Sequence, residues 1–153
     1  GDPLEPLEDG LDLVLLLGGE PGELELLGLL GGGGPTHRLT TLSGSTNGRL
    51  IKVAATATPG TLIHTAHATS LDKLFLWAQN LDNVTRALTI EYGGVLSPDD
   101  LLIVDLPRRT GGNTLVVPTL VVPGLHLTNS LVVRAFGAAA NIILIGGYVM
   151  RVT

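Results

Sequence analysis

The sequence has no cysteine among its 153 residues, and only 3% of its residues are aromatic and 15% charged. The absence of cysteine excludes disulfide bonds and thiolate metal sites. Because large rings are scarce, the core must be built from Leu, Val, Ile and Ala, which favours a thin core between two β-sheets. Stability must then come from burial, hydrogen bonding or association with copies of the same chain.

Long apolar runs and an excess of basic residues are also missing. The longest mostly apolar stretch, at residues 11–17, already contains Asp12 and is far shorter than the roughly 18 to 20 residues of a membrane-spanning helix. The acidic N-terminus does not fit a secretory signal, which places basic residues before its apolar segment. The net charge of −5 argues against general nucleic-acid binding, since phosphate affinity comes mostly from Lys and Arg. We therefore expect neither a membrane nor a nucleic acid as a partner.

Signatures of catalysis are scarce as well. No G-x-S-x-G elbow surrounds a nucleophilic serine, and Ser43 and Ser45 lie in a polar turn. The Gly-Gly pairs lack the strand-then-helix context and the lysine of a phosphate-binding loop. We expect no catalytic residue, no cofactor and no enzymatic activity.

The four histidines give little support for a metal site. His64 and His67 are three residues apart, a spacing that on a strand directs the two side chains to opposite faces. Histidines at the surface or at the edge of the core, making ordinary hydrogen bonds, are therefore the preferred interpretation. His37 and His126 have no carboxylate near them in sequence.

A calcium site is a second possibility, which we weigh against turn formation. Asp82, with Asn80 and Asn83, could meet the pair Asp99-Asp100 around Ca²⁺, which takes several oxygen ligands from loops. The same residue types form turns, because their short side chains bond back to the backbone. The spacing matches no EF-hand pattern, and we predict turns and no metal.

The first 35 residues differ from the rest of the chain. They contain 12 Leu, 10 Gly and 8 carboxylates, with no basic and no aromatic residue, so they carry a net −8. Residues 36–153 carry nine basic and six acidic residues, a net +3. Twelve leucines are too much apolar surface to leave in water, and the paired and consecutive glycines oppose a helix. We predict an extended, partner-binding N-terminal arm at residues 1–35, with a hinge at the glycines 31–34, and a folded domain at residues 36–153.

The arm and one basic doublet supply the predicted partner contacts. Arg108-Arg109, beside Asp105, could bind the carboxylates of a partner, although a solvated loop is the simpler interpretation. In the arm we predict partner contacts for Leu11, Leu13, Leu15, Leu24, Leu27 and Leu30.

From residue 36 onward, candidate strands follow at intervals of roughly ten residues, separated by turn signals such as Pro123-Gly124. No helix is predicted. About eight strands at this spacing are typical of a β-sandwich or barrel, and we predict an all-β, jelly-roll-like antiparallel β-sandwich. The strands are expected at residues 49–57, 61–67, 73–79, 84–92, 101–106, 114–117, 131–136 and 141–152.

The clearest predicted element is a hairpin at residues 72–94. Its first strand carries Phe75 and Trp77, which we expect in the core, and its second places Glu91 on a polar face. The last strand, at residues 141–152, is apolar on both faces, so it is expected at the centre of a sheet or beneath a second subunit. Gly146-Gly147 inside it predicts a bulge or a bend.

Two stretches carry a family resemblance. Residues 77–94 read W-A-x-N-x-D-x-x-x-R-x-L-T-I-x-Y-G-G and are followed by Pro98-Asp99-Asp100, and residues 131–152 read L-V-V-R-A-F-G-A-A-A-N-I-I-L-I-G-G-Y-V-M-R-V. Together they resemble small β-sandwich virion proteins of tailed double-stranded DNA bacteriophages, most closely the capsid decoration, or cement, proteins.

The resemblance implies a structural protein on the capsid exterior, made in the host cytoplasm, that binds and stabilises the shell of major capsid protein. It also implies self-association, as a homotrimer, with the arm reaching across neighbouring capsid subunits. The alternatives are another virion component, such as a head fibre, tail or baseplate sandwich, and a carbohydrate-binding module, which would stack sugars on exposed aromatic residues.

Overall fold

The computed structural model describes residues 34–109 and 118–153. Within these ranges the chain forms β-strands and no helix, and hence no helix long and apolar enough to cross a membrane. The strands are β1 (His37–Thr40), β2 (Ile51–Lys52), β3 (Thr61–Thr65), β4 (Leu71–Asn80), β5 (Arg86–Tyr92), β6 (Leu101–Leu106), β7 (Thr119–Leu127), β8 (Val132–Gly137) and β9 (Ile143–Val152).

The strands form two antiparallel sheets. The five-stranded sheet has the order β1-β9-β4-β7, with β2 also paired to β9, and the four-stranded sheet has the order β3-β8-β5-β6. Inward-facing apolar residues of both sheets form one core, as in a β-sandwich. The predicted all-β sandwich is confirmed.

The core of the described residues is aliphatic, as expected from the scarcity of rings. The five-stranded sheet contributes Leu74 and Leu76, and the four-stranded sheet contributes Leu88 and Ile90, all of them fully buried. Phe75 and Trp77 alternate with the buried leucines of β4 and are only half-buried. Their predicted place in the core is wrong, because the period of two along β4 turns them to the opposite side of the sheet.

β9 lies at the centre of the five-stranded sheet, which explains why both of its faces are apolar. The register with β4 runs unbroken through Gly147, opposite Leu76, and Gly146, opposite Trp77. The predicted bulge is therefore absent from this pairing. Gly147 is needed for space, because a Cβ at this position would collide with the backbone carbonyl of Phe75.

β7 was missed by the sequence reasoning, which read Pro123-Gly124 as a turn. The structure places both residues inside β7, an edge strand, where the register with β4 shifts between Leu74 and Phe75. An edge strand tolerates proline because one side of its backbone needs no ladder hydrogen bond. Gly124 has a φ of 102°, which a β-carbon would disfavour.

The predicted strand at residues 49–57 is reduced to β2, because the chain then leaves the five-stranded sheet. The N–H of Val53 still donates to Ile143 of that sheet, whereas the carbonyl of Ala55 accepts from Gly137 of the four-stranded sheet. The segment therefore crosses between the sheets. β1 was not predicted, and the predicted strand at 114–117 lies outside the described residues.

Candidate functional site

The outward side of the five-stranded sheet is covered mostly by apolar side chains. Residues of β4 alternate between the core and this side, which places Phe75 and Trp77 outward. On β9, Tyr148 lies opposite Phe75, and Met150 lies opposite Lys73. We call this side the aromatic face, and its main apolar residues are Leu39, Leu50, Phe75, Trp77, Leu120, Tyr148 and Met150.

Three rings form the centre of the aromatic face. The ring centroids of Phe75 and Tyr148 are 4.9 Å apart with 21° between the planes, and those of Trp77 and Tyr148 are 6.1 Å apart. Leu39 and Leu120, beside the rings, are 65% and 47% exposed. A contiguous exposed apolar surface of this kind is typical of a binding site.

The two charged side chains of the aromatic face are both lysines. Lys52 and Lys73 lie opposite or beside its outward residues, with His37 and His126 near them, and the Lys73 ammonium is 5.7 Å from the centroid of the Phe75 ring. In the five strands of this sheet the only acidic residue is Asp72, which faces the core. The face therefore suits a partner that brings carboxylates.

One depression on this face combines the two kinds of contact. It measures about 470 Å³ and is lined by rings and apolar side chains, including Phe75 and Tyr148, and by Lys73, His37 and His126. Its apolar lining can contact an aliphatic side chain, while its basic groups can bind a neighbouring carboxylate.

A buried polar network lies on the inward side of the same sheet. Asp72, at the second residue of β4, has no exposed surface. Its carboxylate accepts hydrogen bonds from Arg151 Nε at 2.7 Å and Nη2 at 2.9 Å, from His64 Nε2 at 2.9 Å and from the His67 N–H at 3.0 Å. The network joins β3, β4 and β9 and the loop between β3 and β4.

The balance of these contacts keeps Asp72 ionised. Burial opposes the charge, but hydrogen bonds from Arg151, His64 and His67 outweigh it and lower the pKa of Asp72 to about 2. The hydrogen bond to Asp72 in turn raises the pKa of Arg151. The group is a buried ion pair with its hydrogen bonds satisfied, which suits a structural role.

Ser43, His64 and Asp72 are the residue types of a nucleophilic triad, but their hydrogen bonds do not form one. His64 Nδ1 accepts from the backbone N–H of Ser43 at 3.1 Å, and Ser43 Oγ accepts from the N–H of Thr65 at 2.7 Å. In a triad the serine hydroxyl donates to the imidazole. Here that ring nitrogen is already occupied and His64 is buried, so the cluster fixes the chain rather than a substrate.

The structure corrects the interpretation of the two central histidines. His64 is buried rather than at the surface or the edge of the core. β3 ends before His67, whose Nδ1 accepts from the N–H groups of Thr69 and Ser70. The signal that could have revealed the network was Asp72 itself, a carboxylate at an inward position of an otherwise apolar alternation.

The alternative calcium site is not formed. Asp82 lies in the loop before β5, and Asp99 and Asp100 lie in the loop after it, so the two groups are at opposite ends of one strand. Asp82 binds Arg86, whose hydrogen bond lowers the pKa of Asp82, and Asp100 accepts from the N–H of Leu96. Within residues 34–109 and 118–153, no group of three or more His, Asp or Glu residues could hold a metal ion.

A second buried carboxylate was also missed. Glu91, predicted on the polar face of β5, is buried, and it accepts hydrogen bonds from the Gly60 N–H at 2.8 Å and from the Thr58 hydroxyl. These bonds fasten the predicted turn at residues 58–60 to β5. The neighbouring Tyr92 hydroxyl is buried without a partner in the part of the chain that the structure describes, and burial raises its pKa.

The predicted partner-binding residues are not tested by this geometry. Arg108 and Arg109 are exposed after β6, where the N–H of Arg109 donates to the carbonyl of Asp82, and they lie on none of the strands of the aromatic face. The predicted leucine contacts of the arm, Leu11, Leu13, Leu15, Leu24, Leu27 and Leu30, lie outside the described residues.

Comparison with known proteins gives no assignment. No family model, no curated protein and no solved structure matches the chain. The function must therefore be argued from the surface chemistry of the sandwich and from the sequence.

Proposed function

We propose that the protein is a non-enzymatic structural virion protein that coats the outside of a capsid shell as a decoration protein. The observation that carries this proposal is the aromatic face, an exposed apolar surface with basic groups and no acidic residue among the outward-facing residues of its strands. Burial of such a surface against another protein is favourable, because it removes apolar area from water.

The strand order supports the jelly-roll form of the sandwich. Strands β2-β9-β4-β7 and β3-β8-β5-β6 form the two sheets, and the chain alternates between them in the manner of two nested Greek keys. Jelly rolls occur in viral capsid domains and in lectins. The fold is therefore compatible with attachment to a shell and with sugar binding. The chemistry of the exposed residues distinguishes these two functions.

The sequence resemblance to phage virion proteins adds to this proposal. The two resembling stretches contain Trp77 and Tyr148, which meet on the aromatic face. The resemblance thus includes residues whose side chains face outward and not only those that pack in the core.

The mechanism is multivalent attachment to the major capsid protein. Linked copies raise the effective concentration of each contact, so modest contacts sum to durable binding. Each leucine of the arm that is buried contributes up to about 1.5 to 3 kcal/mol, before the cost of ordering the chain is subtracted. Arg108 and Arg109 would add contacts to carboxylates of the shell.

Co-sedimentation with empty shells of the cognate major capsid protein tests the proposal. The full chain should pellet with the shells at a copy number comparable to that of the capsid protein, and a chain lacking residues 1–34 should stay in the supernatant while remaining folded by circular dichroism. Undiminished binding of the shortened chain would refute the role of the arm. A copy number far below that of the capsid protein would favour a fibre, tail or baseplate component.

A carbohydrate-binding module is the second candidate, because Phe75, Trp77 and Tyr148 are grouped on an open sheet face. The neighbouring residues favour protein over sugar, since Leu39 and Leu120 beside the rings are exposed aliphatic side chains, which offer the hydroxyl groups of a sugar no hydrogen bond. A glycan array tests this directly. Binding that is lost on the substitution Trp77→Ala would establish the second candidate in place of the first.

A further inference from the structure

We infer, building on the proposed assembly function, that the aromatic face receives an acidic, leucine-rich polypeptide segment, and that residues 1–33 of a second copy of this chain supply it. Copies joined in this way would form the linked oligomer that multivalent attachment to a shell requires.

Charge is the first reason for this choice of occupant. The outward side of the five-stranded sheet carries Lys52 and Lys73, with His37 and His126 nearby. The one acidic residue in the strands of this sheet, Asp72, is on the inward side and faces the core. Residues 1–33 carry eight carboxylates and no basic residue. Electrostatic complementarity of this kind selects partners and fixes their orientation.

Apolar chemistry is the second reason. Residues 1–33 contain 12 leucines, and several stand directly beside a carboxylate, as in Leu7-Glu8 and Leu11-Asp12. The depression beside Phe75, Tyr148 and Lys73 is lined by both apolar and basic side chains. An adjacent leucine and carboxylate match these two kinds of lining.

Direct pairing of two aromatic faces fits less well. A two-fold arrangement would bring the lysines of one copy toward those of the other, and neither face offers an outward-facing carboxylate on its strands. Like charges brought together at an interface are unfavourable. The acidic segment supplies the missing opposite charge.

The length of the segment and the place where it joins the sandwich permit the exchange. Residues 34–36 lead directly into β1, at the edge of the five-stranded sheet beside β9. Thirty-three residues span up to roughly 110 Å when fully extended, which is ample for reaching a neighbouring copy.

A charge-swap experiment on the full chain tests the inference, with mass measured by sedimentation velocity. The unmodified chain should be an oligomer at low salt. The face variant Lys52→Glu with Lys73→Glu should dissociate to monomers, and so should an arm variant with Glu5→Lys, Glu8→Lys, Glu23→Lys and Glu25→Lys. Combining the two sets in one chain should restore the oligomer, which also shows that the variants fold.

Two further results bear on the inference. The control Arg86→Glu reverses a basic charge on β5, in the four-stranded sheet and away from the aromatic face, and should leave the oligomer intact. A monomeric full chain at micromolar concentration, an oligomer unaffected by the face variant, or a failure of the combined variant to reassociate would each overturn the inference.

The proposed function can fail separately. If the oligomer forms through residues 1–33 but does not pellet with shells, the binding of this segment to a second copy is supported and the proposed decoration function is refuted. If a chain lacking residues 1–33 but fused to a trimeric coiled coil still binds shells, the segment acts by linking copies, as inferred here.

Discussion

Asp72 occupies an inward position of β4 where the alternation calls for an apolar side chain, and Arg151 balances its charge across the register from β9. The pair also fixes His64 and the backbone of His67. A buried charge costs several kcal/mol unless it is paired and hydrogen-bonded, so the four hydrogen bonds to this carboxylate are a condition for the fold.

The substitution Asp72→Asn should lower the free energy of unfolding by about 3 kcal/mol, because it leaves the Arg151 charge buried without its counter-ion. Chemical denaturation monitored by circular dichroism measures this loss. The matched control is Asp82→Asn, which removes the partly exposed partner of Arg86 and should change stability little. Equal effects of the two substitutions would contradict the structural role of Asp72.

The same carboxylate predicts an acid-sensitive fold. The pKa of Asp72 is depressed to about 2 from 3.8, so its contribution is present above pH 3.8 and is lost as the pH falls toward 2. The loss amounts to about 2 kcal/mol. Denaturation curves between pH 5 and pH 2 should show this dependence in the natural chain and a weaker one in Asp72→Asn, and identical slopes would refute it.

Among the elements, β9 determines how the five-stranded sheet is built. It pairs with β4 along its whole length and with β1 and β2 on its other edge, and the change from β2 to β1 falls at Gly146 and Gly147. Here a Cβ on Gly147 would collide with the backbone of β4, and a Cβ on Gly146 would meet the end of the Leu50 side chain.

Two neighbouring glycines give a matched test of this packing. A Cβ on Gly147 would meet the rigid backbone of Phe75, whereas a Cβ on Gly146 would meet only the mobile end of the Leu50 side chain. Gly147→Ala should therefore cost about 3 kcal/mol or more, and Gly146→Ala about 1 kcal/mol or less. Thermal unfolding of the two variants checks this, and similar midpoints would contradict the observed register.

The elements show which features can be read from the sequence. β4, β5, β6, β8 and β9 were predicted because their period of two is local and their turn residues flank them. β7 was missed because a Pro-Gly pair is compatible with a strand only at an edge with a bulge, and edges are set by pairing with distant residues. For the same reason the sequence could show that Phe75 and Trp77 lie on one side of β4, but not which side faces the core.

The candidate site also has some features that local sequence predicts and others that depend on contacts between distant residues. The acidic residues of the two loops were correctly assigned to turns, because short side chains bond to nearby backbone. The Asp72 network was not predicted, since its members come from β3, β4 and β9 and meet only after both sheets have formed. The aromatic face likewise joins residues from several strands, and no short window of sequence contains it.

For the whole molecule, the aromatic face should control binding without controlling folding. Leu39→Ser with Leu120→Ser removes exposed apolar area from β1 and β7 and should weaken self-association and shell binding by roughly 10- to 100-fold, as expected when partly buried leucines are lost from an interface. The matched control is Leu96→Ser with Ile103→Ser, at exposed positions in the loop before β6 and in β6. Both double variants should unfold at about the same temperature as the natural chain, since exposed side chains contribute little to the stability of the fold. Equal loss of binding in the control pair would show that the aromatic face has no special part.

Trp77 allows the most direct measurement of whether the aromatic face is buried on binding, because it is the single tryptophan of the chain and lies on this face. Acrylamide quenching of its fluorescence can be followed in the full chain as it is diluted from the assembled to the dissociated state, with the variant Lys52→Glu with Lys73→Glu as the dissociated reference. If the aromatic face binds protein, the quenching constant of the assembled chain should be lower by about threefold or more, as for a ring in the water-excluded core of an interface. Equal quenching in the assembled and dissociated states would contradict the assignment of this face as the binding surface.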